Sequence, residues 1–456
     1  MLVQLGQALR WDALSPLEIA ARILLVLTSV CLVYVFYMLK CSTLSHIKGP
    51  FPASISRLWL VYHALRADMH TYQPFLHRKY GKFVRIAPDE VSISDPQAIK
   101  EIYGVNSGFT KTEFYDPFGP RPTELIHLPL RKAPMGELFS LKDEKRHALR
   151  RRLVSHIYSM TNIVKSEGYM NLCVEEFMKA LNDSAQEQSV IDFGECLQRF
   201  AFDVIGELFY GSMFGFLKER RDVGGYMATL DGLIPFFTVL GVMPILQKVQ
   251  PLMVWLWPGY RAHSKKMVTF NEMAAKCVHD RQQNPSGRDD ILNHLFALNA
   301  ERPDFTIEEI FNDSFDALGA GSDTTAVAMR SAFYHVMKDE AIYARLQAEI
   351  DEADKQGRLS NPVTFNEAMQ MPYLVAVCKE AMRVFPSVGM TLPRHVPASG
   401  RLICGQFFPE GVKVGVNAFV VHRDQGVFGY DAESFNPDRW FRPEAKDMDR
   451  YMFQAS

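Results

Sequence analysis

An acid and a hydroxyl stand next to each other at Asp323-Thr324, within the segment Leu-Gly-Ala-Gly-Ser-Asp-Thr-Thr that covers residues 318–325. A carboxylate beside an alcohol can pass protons to a reacting group. On a helix, at about 100° per residue, several small side chains would share one stripe: Ala317, Ala320, Gly321, Thr324, Ala328 and Ser331. Such a stripe predicts either a gap that admits a bulky group or a close crossing with another helix, and the pattern leaves both open.

Charged residues at helical spacing form further patterns. His147 and Arg151 are four residues apart in the basic segment 141–155, and Glu380 and Arg383 are three apart, so each pair shares a helix face. A solvated helix explains the first pair equally well, and a chain of this composition contains about one Glu-x-x-Arg by chance. Two more arginines follow in short proline-containing motifs, Arg394 in Leu-Pro-Arg and Arg439 in Phe-Asn-Pro-Asp-Arg-Trp.

The composition excludes several classes of protein. The chain has 456 residues, is 48% hydrophobic and carries a net charge of −2, which gives no basis for nucleic-acid binding. Its cysteines form no Cys-x-x-Cys pair and are odd in number, which argues against a disulfide framework and a structural zinc site. These seven residues are Cys31, Cys41, Cys173, Cys196, Cys277, Cys378 and Cys404.

The acid–hydroxyl pair must be positioned by a long helix. Thr306 and Glu309 form a capping-box pattern that predicts a helix start, and charged residues from Lys338 onward predict its end. About 32 helical residues would span about 48 Å, which is enough to cross a whole domain.

The N-terminal region predicts a membrane anchor. The 17 residues Ile23–Leu39 carry no charge, which is just long enough to span a bilayer, although a cleaved signal peptide is the alternative. Lys48-Gly49-Pro50-Phe51-Pro52 then predicts a stiff connection. We therefore expect an anchor over residues 1–40, a Pro/Gly hinge over 41–55 and one large domain over 56–456.

The remaining elements are mainly helical. Alternation over residues 82–88 and 90–94 predicts two strands joined by a turn, and a period of two over 400–424 predicts a small antiparallel sheet late in the chain. Residues 233–246, followed by Trp255-Leu256-Trp257-Pro258, are too apolar for an ordinary loop, yet their prolines and glycine predict interrupted helices. This segment is either a buried lid or a surface at the membrane interface.

The order and spacing of these motifs together resemble the cytochrome P-450 family of haem-thiolate monooxygenases, over the whole chain. Residues 48–111 look most similar to fungal members of the pisatin-demethylase and trichodiene-oxygenase kind. The resemblance implies a mainly α fold with a small antiparallel β subdomain, haem b, and electrons from NADPH through a partner reductase. It also implies dioxygen as co-substrate, an apolar substrate of secondary metabolism, and an endoplasmic-reticulum anchor with the domain facing the cytosol.

The resemblance assigns roles residue by residue. Ala320 and Gly321 would make room for dioxygen, Thr324 would steady the activated oxygen, and Asp323 would connect it to solvent. His147, Arg151 and Arg394 would hold the haem propionates. Glu380, Arg383 and Arg439 would form a buried structural cluster. The basic segment Lys142–Arg152 is a candidate docking surface for the reductase, with a solvated helix as the alternative.

The sequence departs from the family at its defining motif. The cysteine that ligates the iron belongs to Phe-x-x-Gly-x-Arg-x-Cys-x-Gly, expected shortly after residues 435–440, and none of the seven cysteines has this context. Cys378 and Cys404 are expected to be small buried hydrophobes instead. The expectation is therefore a chain that ends before its haem-ligand motif. Two alternatives stay open: a haem isomerase or dehydratase that does not use dioxygen, and a membrane protein without haem or catalysis.

Overall fold

A computed structural model describes residues 15–119 and 138–452. Helices dominate it, which confirms the predicted mainly α class. Before the long central helix they are Pro16–Phe36, Phe51–Ile55, Leu58–Arg66, Met69–Tyr80, Gln97–Tyr103, Glu144–Val154, Met160–Lys165, Glu167–Gln186, Phe193–Ile205, Phe216–Glu219, Tyr226–Val242, Ile245–Lys248, Gln250–Leu256, Pro258–Gln283 and Ile291–Glu301. After it they are Glu340–Lys355, Phe365–Ala368, Pro372–Val384, Ala418–Val421, Gln425–Phe428 and Ala445–Asp449.

The central helix, here called the long helix, runs from Ile307 to Lys338. It consists of the α-helix Ile307–Asp316, a π-helical turn at Ala317–Gly321 and the α-helix Ser322–Lys338. Thr306 and Glu309 form the predicted capping box at its start. Phe305, Ile310 and Leu318 are fully buried in the main apolar core, so the first half of the helix crosses the interior.

In the part of the chain that the structure describes, seven short strands form two sheets: β1 (Phe83–Ala87), β2 (Glu90–Ile93), β3 (Thr110–Lys111), β4 (Arg394–His395), β5 (Arg401–Ile403), β6 (Gln406–Phe408) and β7 (Lys413–Val416). The larger sheet has the order β1-β2-β7-β4-β3, and β5 and β6 form a separate antiparallel hairpin. The antiparallel β1–β2 pair is as predicted from alternation.

The late part of the chain differs from the predicted antiparallel sheet. β7 pairs parallel with β2, so the larger sheet is mixed. Ala418–Val421 is helical rather than extended, because Asn417 caps it by accepting from the Phe419 amide. Four buried apolar residues give no periodicity that distinguishes a strand from one helical turn.

The first helix carries the apolar segment predicted to be an anchor. It begins at Pro16 behind a Ser15–Glu18 capping box, several residues earlier than the uncharged run, and ends at Phe36. A π-helical turn extends it to Cys41, and an 18-residue stretch within these 26 residues has a mean hydropathy of 2.4 with none of it buried. Length and composition thus suit a membrane span. A second helical stretch, Val223–Val242, meets the same criteria but is one-third buried.

The segment after the first helix is packed against β1. The Arg85 amide in β1 donates to the Lys48 carbonyl at 2.9 Å, and a Cβ on Gly49 would lie 2.1 Å from the Arg85 carbonyl oxygen. Only glycine permits this approach. The buried Arg85 guanidinium also donates to the Met38 carbonyl at 2.9 Å, which ties the end of the anchor to the sheet.

Candidate functional site

A cavity of about 1,770 Å³ lies beside the middle of the long helix. Typical ligand pockets measure about 300–1,000 Å³, so this space admits more than one ordinary small molecule. Much of the wall is apolar, and Phe118, Leu233, Phe237, Phe385 and Val388 contribute to it. The helix Tyr226–Val242 covers one side through Leu230, Leu233 and Ile234. That helix runs through Pro235 and Gly241 and ends at Val242, and a separate helix begins at Ile245. The predicted interruption is therefore confirmed at Pro244 and wrong at Pro235 and Gly241.

The small-residue segment forms the π-helical turn of the long helix. A π turn carries about one residue more than an α turn, so the residues after it face other directions than a regular helix predicts. Gly319, Ala320, Asp323 and Thr324 line the cavity. Ala320 and Thr324 are exposed there, which leaves backbone open to a ligand.

The small-residue stripe was predicted either to leave a gap or to form a close helix crossing, and different residues of the stripe do each. Gly321 is not among the cavity-lining residues: a Cβ there would lie 2.6 Å from Ile205 Cδ1 on the helix Phe193–Ile205. Ser331 donates to the Ala381 carbonyl at 3.0 Å on the helix Pro372–Val384. Gly321 and Ser331 therefore serve helix crossings. The predicted placement of Gly321 at the gap is not what the structure has.

The acid and the hydroxyl sit side by side at the cavity with different environments. Thr324 Oγ1 donates to the Ala320 carbonyl at 2.8 Å, so its oxygen lone pairs remain available to a ligand. Ser387 donates to the Thr324 carbonyl at 3.0 Å and joins the helix to the cavity rim. Burial, with a smaller contribution from the Asp231 charge, raises the pKa of Asp323 above its usual value. A carboxyl group shifted in this direction holds its proton more readily.

Positive side chains converge on another part of the cavity wall. His147, Arg151 and Arg394, all predicted from the sequence, line it together with Lys111. Lys111 in β3 stands directly opposite Arg394 in β4. Burial and the neighbouring charges of Lys111, Arg151 and Arg394 lower the pKa of His147 to about 4. Like charges opposite each other in a sheet are unfavourable, so this edge is arranged to receive an anion.

Two tyrosines hold Arg394 in place. The Tyr115 hydroxyl accepts a hydrogen bond from the Arg394 guanidinium, which also lies 4.9 Å from the centre of the Tyr115 ring and 5.0 Å from that of Tyr103. Burial raises the pKa of Tyr115 to about 12, so the hydroxyl stays protonated. Sequence reasoning missed Lys111, Tyr103 and Tyr115 as site residues, because a two-residue strand such as β3 gives no detectable alternation.

Glu380, Arg383 and Arg439 meet in the interior, each with 0% side-chain exposure. Arg383 binds Glu380 through two hydrogen bonds of 2.9 and 2.7 Å, and Arg439 Nε reaches Glu380 Oε1 at 3.2 Å. Trp440 and the Asn436 amide donate to the same carboxylate at 3.0 and 2.8 Å. The carboxylate is thus fully paired, and losing one member of such a set costs about 3–5 kcal/mol.

None of the seven cysteines, all of which lie in the described part of the chain, lines the cavity. Cys378 is exposed on its helix, so the prediction of a buried residue is wrong there; Cys404 is half-buried. Burial and nearby acids raise the pKa of Cys404 to about 12, which opposes the thiolate form that binds iron.

The cavity residues fit part of a haem group. The positive edge suits its propionates, and the exposed backbone at Gly319 and Ala320 leaves space over a flat ring. The axial sulfur ligand is not among the cavity residues described. In residues 15–119 and 138–452, no group of three His, Cys, Asp or Glu side chains is arranged to hold a metal ion either. The fit therefore covers the edge and one face of the group.

Comparisons with known proteins agree with one another. A family model described as cytochrome P450 matches residues 50–455. The chain is 37% identical over 428 residues to the cytochrome P450 monooxygenase gsfF of Penicillium aethiopicum, covering 91% of this chain and 83% of that protein. It is 34% identical over 415 residues to cicH of Emericella nidulans, with 90% and 81% covered. Pisatin demethylase of Fusarium vanettenii is 31% identical over 450 residues, with 96% and 85% covered.

Proposed function

Because the chain belongs to the cytochrome P450 family, we propose that it is a membrane-anchored monooxygenase that oxidises a small apolar substrate in fungal secondary metabolism. Family membership confirms the resemblance inferred from motif order, and with it the monooxygenase class. The pisatin demethylase likeness is borne out among the relatives. The substrate class, the residue roles, the reductase and the membrane of residence are proposals.

The observation that carries the proposal is the Asp323–Thr324 pair at an apolar cavity. Asp323, whose pKa is raised by burial, gives and recovers a proton. The Thr324 hydroxyl donates to the Ala320 carbonyl, so its oxygen accepts a hydrogen bond from the bound group that receives the proton. This hydrogen bond holds that group in place. General acid catalysis of this kind contributes about 10²–10⁴-fold to a rate.

Haem b is the cofactor that the family implies, and His147, Arg151 and Arg394, with Lys111, would hold its propionates. When bound, it supplies the activation of dioxygen. Gly319 and Ala320 keep the adjoining cavity wall free of large side chains. The Glu380–Arg383–Arg439 cluster fixes residues 431–440 against the helix Pro372–Val384.

We also propose that none of the seven cysteines is the axial ligand. Cys378 is exposed, Cys404 lies in the turn of the β5–β6 hairpin, and neither lines the cavity. Haem-thiolate chemistry by this chain then needs a sulfur ligand beyond the residues described. The non-catalytic alternative rests on the same observation, and the experiment below separates the two.

The substrate is proposed from the cavity wall. Aromatic and aliphatic side chains supply most of the surface away from the positive edge, and this favours an apolar molecule. One of the relatives is named a pisatin demethylase. By analogy, we propose a terpenoid, polyketide or aromatic secondary metabolite as substrate.

The membrane of residence is proposed from two apolar surfaces. Besides the first helix, Ile245, Leu252, Trp255 and Trp257 are more than half exposed. Tryptophan favours the membrane interface. We propose an endoplasmic-reticulum anchor over residues 1–40, a connection over 41–55 and a cytosolic domain from residue 56. NADPH-derived electrons would enter through a reductase, for which Lys142–Arg152 is the candidate docking surface.

Carbon monoxide difference spectra of yeast membranes test the proposal. Residues 1–456 are expressed alone and fused to a segment that carries the family's cysteine motif. We expect only the fused protein to give the red-shifted Soret band of thiolate-ligated haem and to consume NADPH with the reductase. Asp323→Asn in the fused protein should slow product formation roughly 10²-fold or more.

Three other results would contradict parts of the proposal. A thiolate band from residues 1–456 alone would mean that one of the seven cysteines reaches the iron. Turnover of a peroxide substrate without NADPH would favour an isomerase or dehydratase. Absence of haem from both proteins would favour the non-catalytic alternative.

A further inference from the structure

Arg150 is the most deeply buried charged residue of the helix Glu144–Val154, here called the cation helix because it presents His147 and Arg151 to the cavity. Its side chain is 0% exposed. Only Val154 on the same helix is also buried. The sequence, which has three consecutive arginines at 150–152, does not show which of them points inward.

Two acids of the long helix hold Arg150. Its Nη2 lies 2.8 Å from Asp313 Oδ1 and donates to the Glu309 carbonyl at 3.1 Å, and its Nη1 lies 3.6 Å from Glu309 Oε2. The guanidinium carbon also lies 4.3 Å from the centre of the Phe305 ring. The short contacts of Nη2, the nearby Glu309 charge and the Phe305 ring together hold the guanidinium in one place.

Glu309 has a second task, because its carboxylate caps the start of the long helix by accepting from the Thr306 amide at 2.9 Å. Asp313 lies one turn further along the same helix. The contact therefore joins the cation helix to the first two turns of the helix that carries Asp323 and Thr324.

Helical geometry links this contact to the cavity. Relative to Arg150, His147 lies at about 60° and Arg151 at about 100° around the axis, both to the same side. A rotation of the cation helix would therefore move both cations away from the cavity together. Arg152, at about 200°, lies on the opposite face and is exposed.

We propose that Arg150 is a positioning residue: its ion pairs with Glu309 and Asp313 set the rotation of the cation helix and thereby aim His147 and Arg151 at the carboxylates of a bound porphyrin. This inference rests on the proposed role of the cavity edge in haem binding. It adds a residue that touches neither the cofactor nor the substrate.

Metal-free protoporphyrin IX tests the inference without any axial ligand. The full chain in lipid nanodiscs is titrated with this dicarboxylate and with its uncharged dimethyl ester, followed by porphyrin fluorescence and corrected with empty nanodiscs. The ratio of the two affinities reports the positive edge, whereas loss of fold lowers both. We expect wild type to prefer the dicarboxylate roughly 10- to 100-fold, as charge-assisted hydrogen bonds provide.

Arg150→Met should abolish most of this preference while ester binding remains. Arg152→Met removes the same charge from the opposite face of the same helix and should keep the preference. Asp313→Asn leaves Arg150 in place but breaks its 2.8 Å ion pair, so a partial loss is expected even if Arg150→Met does not fold.

The outcomes separate failure of the proposed positive edge from failure of the positioning role of Arg150. A wild-type protein without preference for the dicarboxylate would overturn the proposed positive edge itself. A wild-type preference that survives both Arg150→Met and Asp313→Asn would overturn only the positioning role. If Arg150→Met does not fold, an unchanged preference for the dicarboxylate in Asp313→Asn would overturn the positioning role of Arg150.

Discussion

Lys111 and Arg394 face each other across β3 and β4, with His147 and Arg151 close by. This concentration of positive charge suppresses the protonation of His147, whose pKa is lowered to about 4 by burial and by the three cations. An anion bound at this edge would remove the repulsion and raise the pKa of His147 again. The proposed binding of haem carboxylates at this edge rests on this concentration of positive charge.

His77 provides a residue-scale test of how burial controls titration. The ring lies 2.9 Å from both the Gly81 carbonyl and Ser92 Oγ, and burial lowers the pKa of His77 to about 4. Since the unfolded chain binds the proton more tightly, with a pKa of about 6.5, stability is full above pH 6.5 and falls as the pH drops toward 4. His77→Gln should reduce the loss of unfolding free energy between pH 7 and pH 5 by about 2 kcal/mol.

Urea unfolding of the detergent-solubilised chain at the two pH values measures this difference. His46→Gln, which changes an exposed histidine, is the matched control and should leave the pH dependence as in wild type. If His77→Gln and wild type lose the same free energy on acidification, His77 does not titrate as described.

At the scale of elements, the π-helical turn Ala317–Gly321 contains two glycines with different surroundings. It places Gly319 beside the ring of Phe270, where a Cβ would be at an ordinary distance of 3.6 Å, and Gly321 against Ile205 at 2.6 Å. The same residue type therefore serves two purposes two positions apart.

The two glycines give a matched prediction. Gly321→Ala should destabilise the protein by about 1–2 kcal/mol, because the new methyl group overpacks against Ile205. Gly319→Ala should be neutral or stabilising by up to about 1 kcal/mol, because alanine favours a helix and meets no close atom. Chemical denaturation of both variants measures the difference. Adding Ile205→Val to Gly321→Ala should restore stability, and equal effects of the two alanines would contradict the assignment of faces.

At the scale of the whole molecule, the region after the first helix contacts the helix that covers the cavity. Arg57, which precedes the helix Leu58–Arg66, donates to the Val242 carbonyl at 3.1 Å, so the region after the anchor meets the end of the helix Tyr226–Val242. Leu58, Leu65, Trp255 and Trp257 are all exposed. Leu233 and Phe237 are buried at the cavity, as the lid alternative predicts, whereas Trp255 and Trp257 are exposed and the membrane-interface alternative stays a prediction.

Fluorescence quenching by brominated lipids tests whether Trp255 and Trp257 contact the membrane. In nanodiscs that contain such lipids, the full chain should show quenched tryptophan emission, and Trp255→Phe/Trp257→Phe should lose most of the quenching, because these indoles are 72% and 59% exposed. Trp59→Phe, which changes a buried tryptophan, serves as the control and should retain it. Unchanged quenching in the double variant would place the two residues away from the lipid.

The sequence by itself determined the family, the mainly helical class, the apolar first helix and the capping box that starts the long helix. These follow from local chemistry: hydrophobic periodicity, capping residues and motif order are properties of neighbouring residues. It also singled out His147, Arg151, Asp323, Thr324 and Arg394, all of which line one cavity.

Only the tertiary structure decided which residues face which partner. Gly321 packs at a helix crossing instead of lining the cavity, β7 pairs with β2 in parallel across more than 300 residues of chain, and Lys111 and Arg150 contact partners far away in the sequence. A period of 3.6 or 2 predicts which residues share one face of a helix or strand, but it does not predict which distant element packs against that face. That choice depends on packing of the whole chain, which no local pattern contains.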